Sequence, residues 1–313
     1  MKFIKMIAVL LSIFCLTVSG RAFASEADMQ AFRDTFLRGM SGADGYHLEL
    51  MFHGPTFQSN AIADGLLWKN GSAVMEGKLN WGYTELATGQ TQQNEMPFYA
   101  ERSGDVITLY GNRKDTWQRE NILGSLSWIL DAISSDDMDR KTKYAAAVTD
   151  VKVTDAGNNR QDMQITFDGK ALSVLQDKAV RDRIANMSEA DGKAAMASVR
   201  YLNAALAERD PQCVWQVDRE TGKTSMVTAD LTEIMRNYAK AVLQDSYQGK
   251  IALSQEDVDF LASIGYYYNL QLYLMRDTKV AKQVVIPAAV KNGAVESNIF
   301  ADIENQIISV VKK

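Results

Sequence analysis

The feature that most constrains the fold of this chain is an alternation of apolar and polar residues with a period of two. It is clearest in the stretch YYYNLQLYLMRD, from Tyr266 to Asp277. Its even positions are all aromatic or aliphatic, and its odd positions are mixed: Tyr266, Tyr268, Leu270, Leu272 and Leu274 against Tyr267, Asn269, Gln271, Tyr273 and Met275. This pattern predicts a β-strand with one wholly apolar face. Other elements of the fold must cover that face.

The same alternation predicts further strands along most of the chain, with short connections between them. Asn70-Gly71 is a two-residue hairpin signal, because both turn positions require a positive φ. Short connections favour an antiparallel meander with one face covered. The predicted strands are 46–53, 62–68, 73–83, 96–102, 106–110, 116–120, 151–153, 163–167, 214–217, 224–227 and 284–287.

Apolar residues at helical spacing predict helices between groups of strands rather than after each one. We expect Gly265 to end the helix that is predicted over residues 254–264. About a dozen strands with five to seven helices, without strict alternation, predict an α+β fold with an antiparallel sheet. The predicted helices are 27–40, 123–133, 172–187, 189–206, 230–242, 254–264 and 297–310.

The N-terminus has the pattern of a secretory signal peptide. Lys2 and Lys5 precede an apolar run that is too short to span a bilayer, and Ala22-Phe23-Ala24 is a small-residue cleavage site. Cys15 follows Ile13 and Phe14, which argues against a lipoprotein signal. We expect a signal peptide over residues 1–24, cleavage after Ala24, and one domain over residues 25–313. The expected location is periplasmic or secreted, without stable membrane insertion.

Charge and cysteine content exclude several classes of partner. Cleavage removes three cations and takes the net charge from −5 to −8, and no basic cluster stands out, so nucleic acid is a poor partner. Cys213 is then the sole cysteine, so no intramolecular disulfide forms, and a buried apolar role is expected for it. We expect a monomer without a cofactor.

The two histidines carry the one chemical alternative, since no nucleophile, phosphate-loop or metalloprotease motif occurs. His47 and Glu49 are two residues apart on one strand face, about 7 Å at strand rise, close enough to share an ion. His53 is about 20 Å from His47 by the same rise, too far for the same ion. The alternatives here are a metal site at His47 and Glu49 or the polar face of a strand.

The order of elements resembles a known superfamily. The residues that carry the resemblance are GLLWKNGSAVMEGKLNWGY at 65–83 and the late hairpin VWQVDRETGKTSMV, from Val214 to Val227. They resemble the LolA/LppX-like superfamily of exported lipoprotein-carrier and lipid-binding proteins, which includes related bacterial lipoproteins of unassigned function. The resemblance implies a curved antiparallel sheet that forms an incomplete β-barrel wrapped over helices, with space between them for acyl chains. This chain is longer and more acidic than the carriers, and it lacks the lipoprotein cysteine.

The resemblance also implies which residues would line a ligand cavity on the concave side of the half-barrel. They are Leu48, Leu50, Phe52, Met75, Leu79, Trp81, Met163, Ile165, Phe167, Tyr268, Leu270 and Leu272, joined by Tyr266 and Leu274. The alternative is that the amphipathic helices fill the concave side, so that these residues are ordinary core.

Three functions follow from these alternatives. The first is a non-enzymatic exported protein of the bacterial envelope that binds an acyl chain, a lipid or another apolar ligand in the half-barrel. The second is an envelope protein-interaction or sensor module with a filled interior and an apolar patch elsewhere. The third is a metal-dependent activity at His47 and Glu49.

Overall fold

The computed structural model of the chain describes its two-layer architecture through most of the sequence. The described residues are 25–38, 44–55, 57–67, 72–84, 88–103, 106–123, 142–143, 145–184, 189–276 and 284–299. The predicted signal peptide, the Asn70-Gly71 turn, most of the predicted helix 123–133 and the C-terminal helix after residue 299 lie outside them.

Within the described residues, twelve strands form one sheet in the order β12-β6-β5-β4-β3-β2-β1-β11-β10-β9-β8-β7. Neighbours are antiparallel, except that β12 runs parallel to β6. The strands are β1 (Asp44–His53), β2 (Phe57–Leu67), β3 (Ala73–Thr84), β4 (Thr91–Ser103), β5 (Val106–Arg113), β6 (Thr116–Leu123), β7 (Val148–Gly157), β8 (Arg160–Phe167), β9 (Gln212–Asp218), β10 (Thr224–Asp230), β11 (Asn269–Arg276) and β12 (Val295–Glu296).

Six helices accompany the sheet in the described part of the chain. They are α1 (Glu26–Arg38), α2 (Gly169–Ile184), α3 (Glu189–Ala207), α4 (Thr232–Tyr247), α5 (Gln255–Tyr267) and α6 (Ala288–Gly293). Helices α2 to α5 pack in sequence order, each on the next, while α4 also contacts β11 and α1 contacts β7. None of the described helices is long and apolar enough to cross a membrane.

Local sequence signals account for these elements. In β1 the even-numbered residues from Tyr46 to Phe52 are buried, while His53 is exposed, as the period of two requires. Helix α4 buries Ile234, Tyr238 and Val242, which are four residues apart and so share one face. Helix α5 begins with a capping box, in which Ser254 Oγ accepts from Asp257 N and the Asp257 carboxylate accepts from Ser254 N.

The sheet is curved, and Gly77 in β3 lies close to the backbone of the neighbouring strand β2. A Cβ at Gly77 would stand 2.1 Å from the carbonyl oxygen of Ile62 on β2, so no larger residue fits there without a backbone shift. Ends β12 and β7 of the strand order do not pair within the described residues. The predicted fold class is confirmed: the protein is α+β, with a curved antiparallel sheet that forms an incomplete β-barrel over helices.

Three local predictions were wrong. Tyr266 and Tyr267 belong to helix α5 and are 79% and 63% exposed, and strand β11 begins only at Asn269. Gly265 does not end α5, because a glycine in the last turn costs about 1 kcal/mol, less than the neighbouring helical contacts supply. Residues 284–287 form no strand; they are an irregular segment in which Val284 and Ile286 are buried, and Ile286 packs in a small cluster with Tyr110 and Val290.

Candidate functional site

The predicted ligand residues share one face of the sheet, which we call the inner face because the helices pack on it. The β1–β11 register places Leu48 opposite Leu274, Leu50 opposite Leu272, and Phe52 opposite Leu270. The same row continues through β2 to β3, where Ala61 lies opposite Leu79. On the other side it continues through β9 to β8, where Trp215 lies opposite Met163 and Cys213 opposite Ile165. The alternation therefore brings residues 110 positions or more apart onto one apolar surface.

Helices fill the inner face over β8 to β1. Met163, Ile165, Leu270 and Leu272 are completely buried, and they share one core with residues of α1, α3 and α4. Cys213 is buried in the same core, as a small apolar residue there would be. This region is closed by Leu231, which precedes α4, and by Ile234, Met235, Tyr238 and Val242 of α4. In this half of the sheet the predicted ligand residues pack on protein.

Helix α1 covers the β9 side of the same core with two aromatic rings. Phe32 and Phe36 stack at 5.4 Å between ring centroids, and both lie against Trp215, at 5.8 and 5.9 Å. Phe32 has no exposed surface. These contacts attach α1 to the sheet.

Tyr268 closes the β1–β11 end of the core. Its ring stacks on Phe52 at 4.8 Å with an interplanar angle of 10°, and it meets Phe260 of α5 edge-on at 5.9 Å. Gly54 lies against the other surface of the ring, because a Cβ there would be 2.0 Å from Tyr268 Cε1. A residue larger than glycine at position 54 would therefore displace the Tyr268 ring from its present position.

The inner face of β3 and β4 differs from the rest, because large apolar side chains there remain partly exposed. Met75, Leu79 and Phe98 are half-buried and lie beside small residues. The register sets Gly77 between Ala63 and Phe98, and Met75 between Gly65 and Ala100. We call Met75, Gly77, Leu79, Phe98 and Ala100 the β3–β4 patch. Trp81, which the sequence also placed in the cavity, is buried next to it.

Two charged residues on the inner face were not predicted. Arg102 and Glu120 are 6% and 7% exposed, two strands apart on either side of β5. Their position follows from the alternation, since Arg102 has the same parity as Met96, Phe98 and Ala100. The parity of the two positions along their strands is the sequence signal that could have found them. They place a polar border next to the β3–β4 patch.

His47 lies on the opposite, outer face, between two carboxylates. Its Nδ1 is 2.7 Å from Asp64 Oδ1 and its Nε2 is 3.2 Å from Glu49 Oε1. Burial lowers the pKa of His47, but the hydrogen bonds and negative charges of Asp64 and Glu49 outweigh it, so the pKa lies above its ordinary value. Glu49 was predicted as a neighbour and Asp64, which comes from β2, was not.

Within the described residues, no group of three or more histidine, cysteine, aspartate or glutamate side chains has an arrangement that could hold a metal ion. Both ring nitrogens of His47 instead face carboxylate oxygens. An imidazole held by two carboxylates in this way is an ion-pair arrangement when protonated. The geometry at His47 therefore favours the polar strand face over the metal site.

Comparisons with known proteins find similarity in structure. No protein-family model matches the chain, and no curated protein matches it. Among solved structures, the chain is similar to the crystal structure of LprF from Mycobacterium bovis. The two align over 85% of this chain and 98% of LprF, with 10% sequence identity and a TM-score of 0.39. A similarity at this level carries no inference about ligand or activity.

Proposed function

We propose that the protein is an exported, non-enzymatic binder of an acyl chain, a lipid or another apolar ligand, which it receives on the β3–β4 patch. The observation that supports this proposal is the contrast within the inner face. Over β8 to β1 the face is filled by helices, whereas Met75, Leu79 and Phe98 keep part of their apolar surface uncovered beside Gly77 and Ala100. Apolar surface in a concave position is what an acyl chain requires.

The physical basis of binding would be the transfer of methylene groups from water to the patch. Each CH₂ that is buried contributes roughly 0.8 kcal/mol, so a chain segment of a few methylenes would already bind measurably. Methionine side chains are flexible and polarizable, which lets Met75 and the neighbouring Met96 adapt to chains of different shape. Small residues leave depth between the larger side chains. No chemical step is needed for this role.

Native mass spectrometry tests the proposal directly. The protein is purified gently from the compartment to which it is exported, with lipid extraction in parallel. We expect an additional mass that organic solvent releases. An apo mass that stays unchanged after incubation with phospholipids and fatty acids would contradict the proposal.

Two matched variants locate the ligand. Leu79→Gln puts an amide into the patch, and we expect it to lose most of the bound lipid. Lys78→Gln changes the adjacent residue, whose side chain is 58% exposed on the outer face, and should keep it. Equal lipid content in the two variants would place the ligand elsewhere. Far-ultraviolet circular dichroism of both variants checks that they are folded.

A second candidate function, docking on an envelope protein, is favoured by one observation. Tyr266 and Tyr267 stand next to each other at the end of α5, both exposed, with ring centroids 6.2 Å apart. Exposed tyrosine is typical of protein interfaces. Photo-crosslinking from position 267 in cells, with Tyr247 at the far end of α4 as the control position, tests this candidate. A specific adduct at 267 alone would favour it over lipid binding if the protein also purifies free of lipid.

The proposed location and state can be checked on the same preparation. We propose cleavage after Ala24, a periplasmic or secreted location, one domain over residues 25–313, and a monomer. N-terminal sequencing should begin at Ser25, and light scattering should give the mass of one chain. A dimer mass or an uncleaved N-terminus would contradict the respective proposal.

A further inference from the structure

The outer face of the sheet contains a cleft where two neighbouring strands separate. The ladder between β9 and β10 ends at the pair Val214–Thr228. Beyond it, Gln212 and Cys213 continue to pair with β8, whereas Ala229 and Asp230 continue to pair with β11. The two strands therefore follow different neighbours at this end. In an antiparallel pair, every second residue points both its backbone N–H and its C=O at the partner strand. Where the two strands separate, such groups face the gap between the strands instead.

The side chains around this gap form a cleft of about 270 Å³. Thr228 and Val214, both β-branched and short, lie on its floor between Gln164 and Tyr273, which are in the same cross-strand row. The volume is slightly below the range of about 300–1,000 Å³ that drug-sized ligands occupy. The cleft thus has the size for a small ligand. Its polar lining consists of Gln164, Gln212, Thr228, Asp230, Gln271 and Tyr273.

The polar groups of the cleft are held in place by one another. Gln164 Nε2 donates to Gln212 Oε1 at 3.3 Å, and Tyr273 Oη donates to Gln271 Oε1 at 3.1 Å. Asp230 Oδ1 accepts from the backbone N–H of Thr232 at 2.9 Å, which fixes that carboxylate at the start of α4. Gln212 is 2% exposed, an unusual degree of burial for a glutamine, and it still lines the cleft. A buried amide fixed by a neighbouring amide is a preorganised hydrogen-bonding group.

We propose that this cleft binds a neutral saccharide. Every residue that lines it is described, and these residues include one carboxylate and no cationic side chain, so an anionic ligand such as a phosphate would be repelled. The amides of Gln164 and Gln271, a threonine hydroxyl and a tyrosine hydroxyl each offer both a donor and an acceptor or can rotate to do so, and the buried Gln212 holds Gln164 in place. Sugar hydroxyls have the same dual character. The Tyr273 ring supplies an apolar surface for the C–H side of a sugar ring.

A peptide strand fits the cleft less well. Strands in proteins are usually at least three residues long, and the unpaired stretch extends over only two residues on each of β9 and β10. An added strand would find too few backbone partners. The site lies on the face opposite the β3–β4 patch, so it is independent of the lipid-binding proposal.

Saturation-transfer NMR on the full chain, purified after export, tests the site with four neutral disaccharides: maltose, cellobiose, chitobiose and mannobiose. We expect at least one of them to bind, while galacturonate and glucose 6-phosphate do not. Thr228→Val with Gln271→Ala removes two hydrogen-bonding groups from the cleft and should weaken binding at least tenfold, as two neutral hydrogen bonds imply. The affinities are measured by isothermal titration calorimetry.

The control is Asn80→Ala, which deletes a half-buried amide on the same outer face, four strands away from β10 in the sheet order. It should leave saccharide affinity unchanged. Lipid content should be the same in all three proteins, because the cleft variants leave the inner face intact. The proposal is overturned if none of the four disaccharides binds, if binding survives the double variant, or if a neutral Gly-Ser tetrapeptide binds in the cleft and displaces the sugar.

Discussion

Adding one methyl group at Gly54 should destabilise the protein, because the space for it is occupied by the Tyr268 ring. The Cβ of an alanine at position 54 would stand 2.0, 2.1 and 2.5 Å from three atoms of that ring. Real Cβ contacts are not that short, so the ring must move away. Tyr268 is 2% exposed and stacked on Phe52, so the movement also disturbs the core.

The expected magnitude follows from two contributions. Overpacking of a filled core costs about 1–3 kcal/mol, and a weakened aromatic pair costs about 0.5–1.5 kcal/mol more. We therefore expect Gly54→Ala to lower the free energy of unfolding by about 1.5–4.5 kcal/mol. Urea denaturation followed by circular dichroism measures this change.

The matched control adds the same methyl group where nothing opposes it. Gly265 lies inside α5, and a Cβ there meets no atom within 4 Å. Gly265→Ala should stabilise the protein by up to about 1 kcal/mol, since alanine is the better helix former. The two substitutions thus have opposite signs. In a Tyr268→Ala background Gly54→Ala should become nearly neutral, within about 0.5 kcal/mol. If Gly54→Ala costs as much there as in the unaltered protein, the reasoning about the ring is wrong.

Three further predictions concern other parts of the molecule. The pKa of His47 is raised in the folded protein, so the stability that protonated His47 contributes is fully present below pH 6.5 and is lost as the pH rises through the folded pKa. His47→Gln should remove this pH dependence of stability. In the Asp64→Asn variant, an NMR titration should show a lower pKa for His47 than in the unaltered protein. Phe32→Ala should lower the free energy of unfolding by about 3–5 kcal/mol and make α1 sensitive to protease. Arg33→Ala, on the exposed side of the same helix, should do neither. Equal protease resistance in the two variants would refute the docking of α1 on Trp215. Asp245 is 9% exposed and pairs with the exposed cations Arg200 of α3 and Lys250, so Asp245→Asn should lower the melting temperature more than Asp259→Asn on the surface of α5. An equal effect of both would count against a stabilising role of these pairs.

The period of two carried much of what the sequence could predict. In β1, β8 and β11 it assigned the buried face correctly, because a side chain in a strand has only two directions to choose from. The same rule, applied to Arg102 and Glu120, places both on the inner face.

The errors arose where the pattern contained no information. Three consecutive tyrosines fit any period, so Tyr266 and Tyr267 could not be assigned to a helix or a strand from their own sequence. In the structure both tyrosines belong to helix α5. Asp64 beside His47 and the cleft at Gln212 depend on which strands are neighbours, and strand order is a tertiary property that no local spacing encodes.

The position of β7 at one end of the sheet bears on the tendency of the chain to aggregate. An uncovered strand edge is a template on which another copy of a chain can add its own strand, which is the first step of aggregation. β7 carries Asp150, Lys152 and Asp155, its pairing with β8 is irregular at two places, and α1 packs against it. Charges, irregular pairing and a covering helix are three ways to discourage such addition. Helix α1, the first element of the described chain, thus protects the last strand of the sheet from other molecules as well as completing the core.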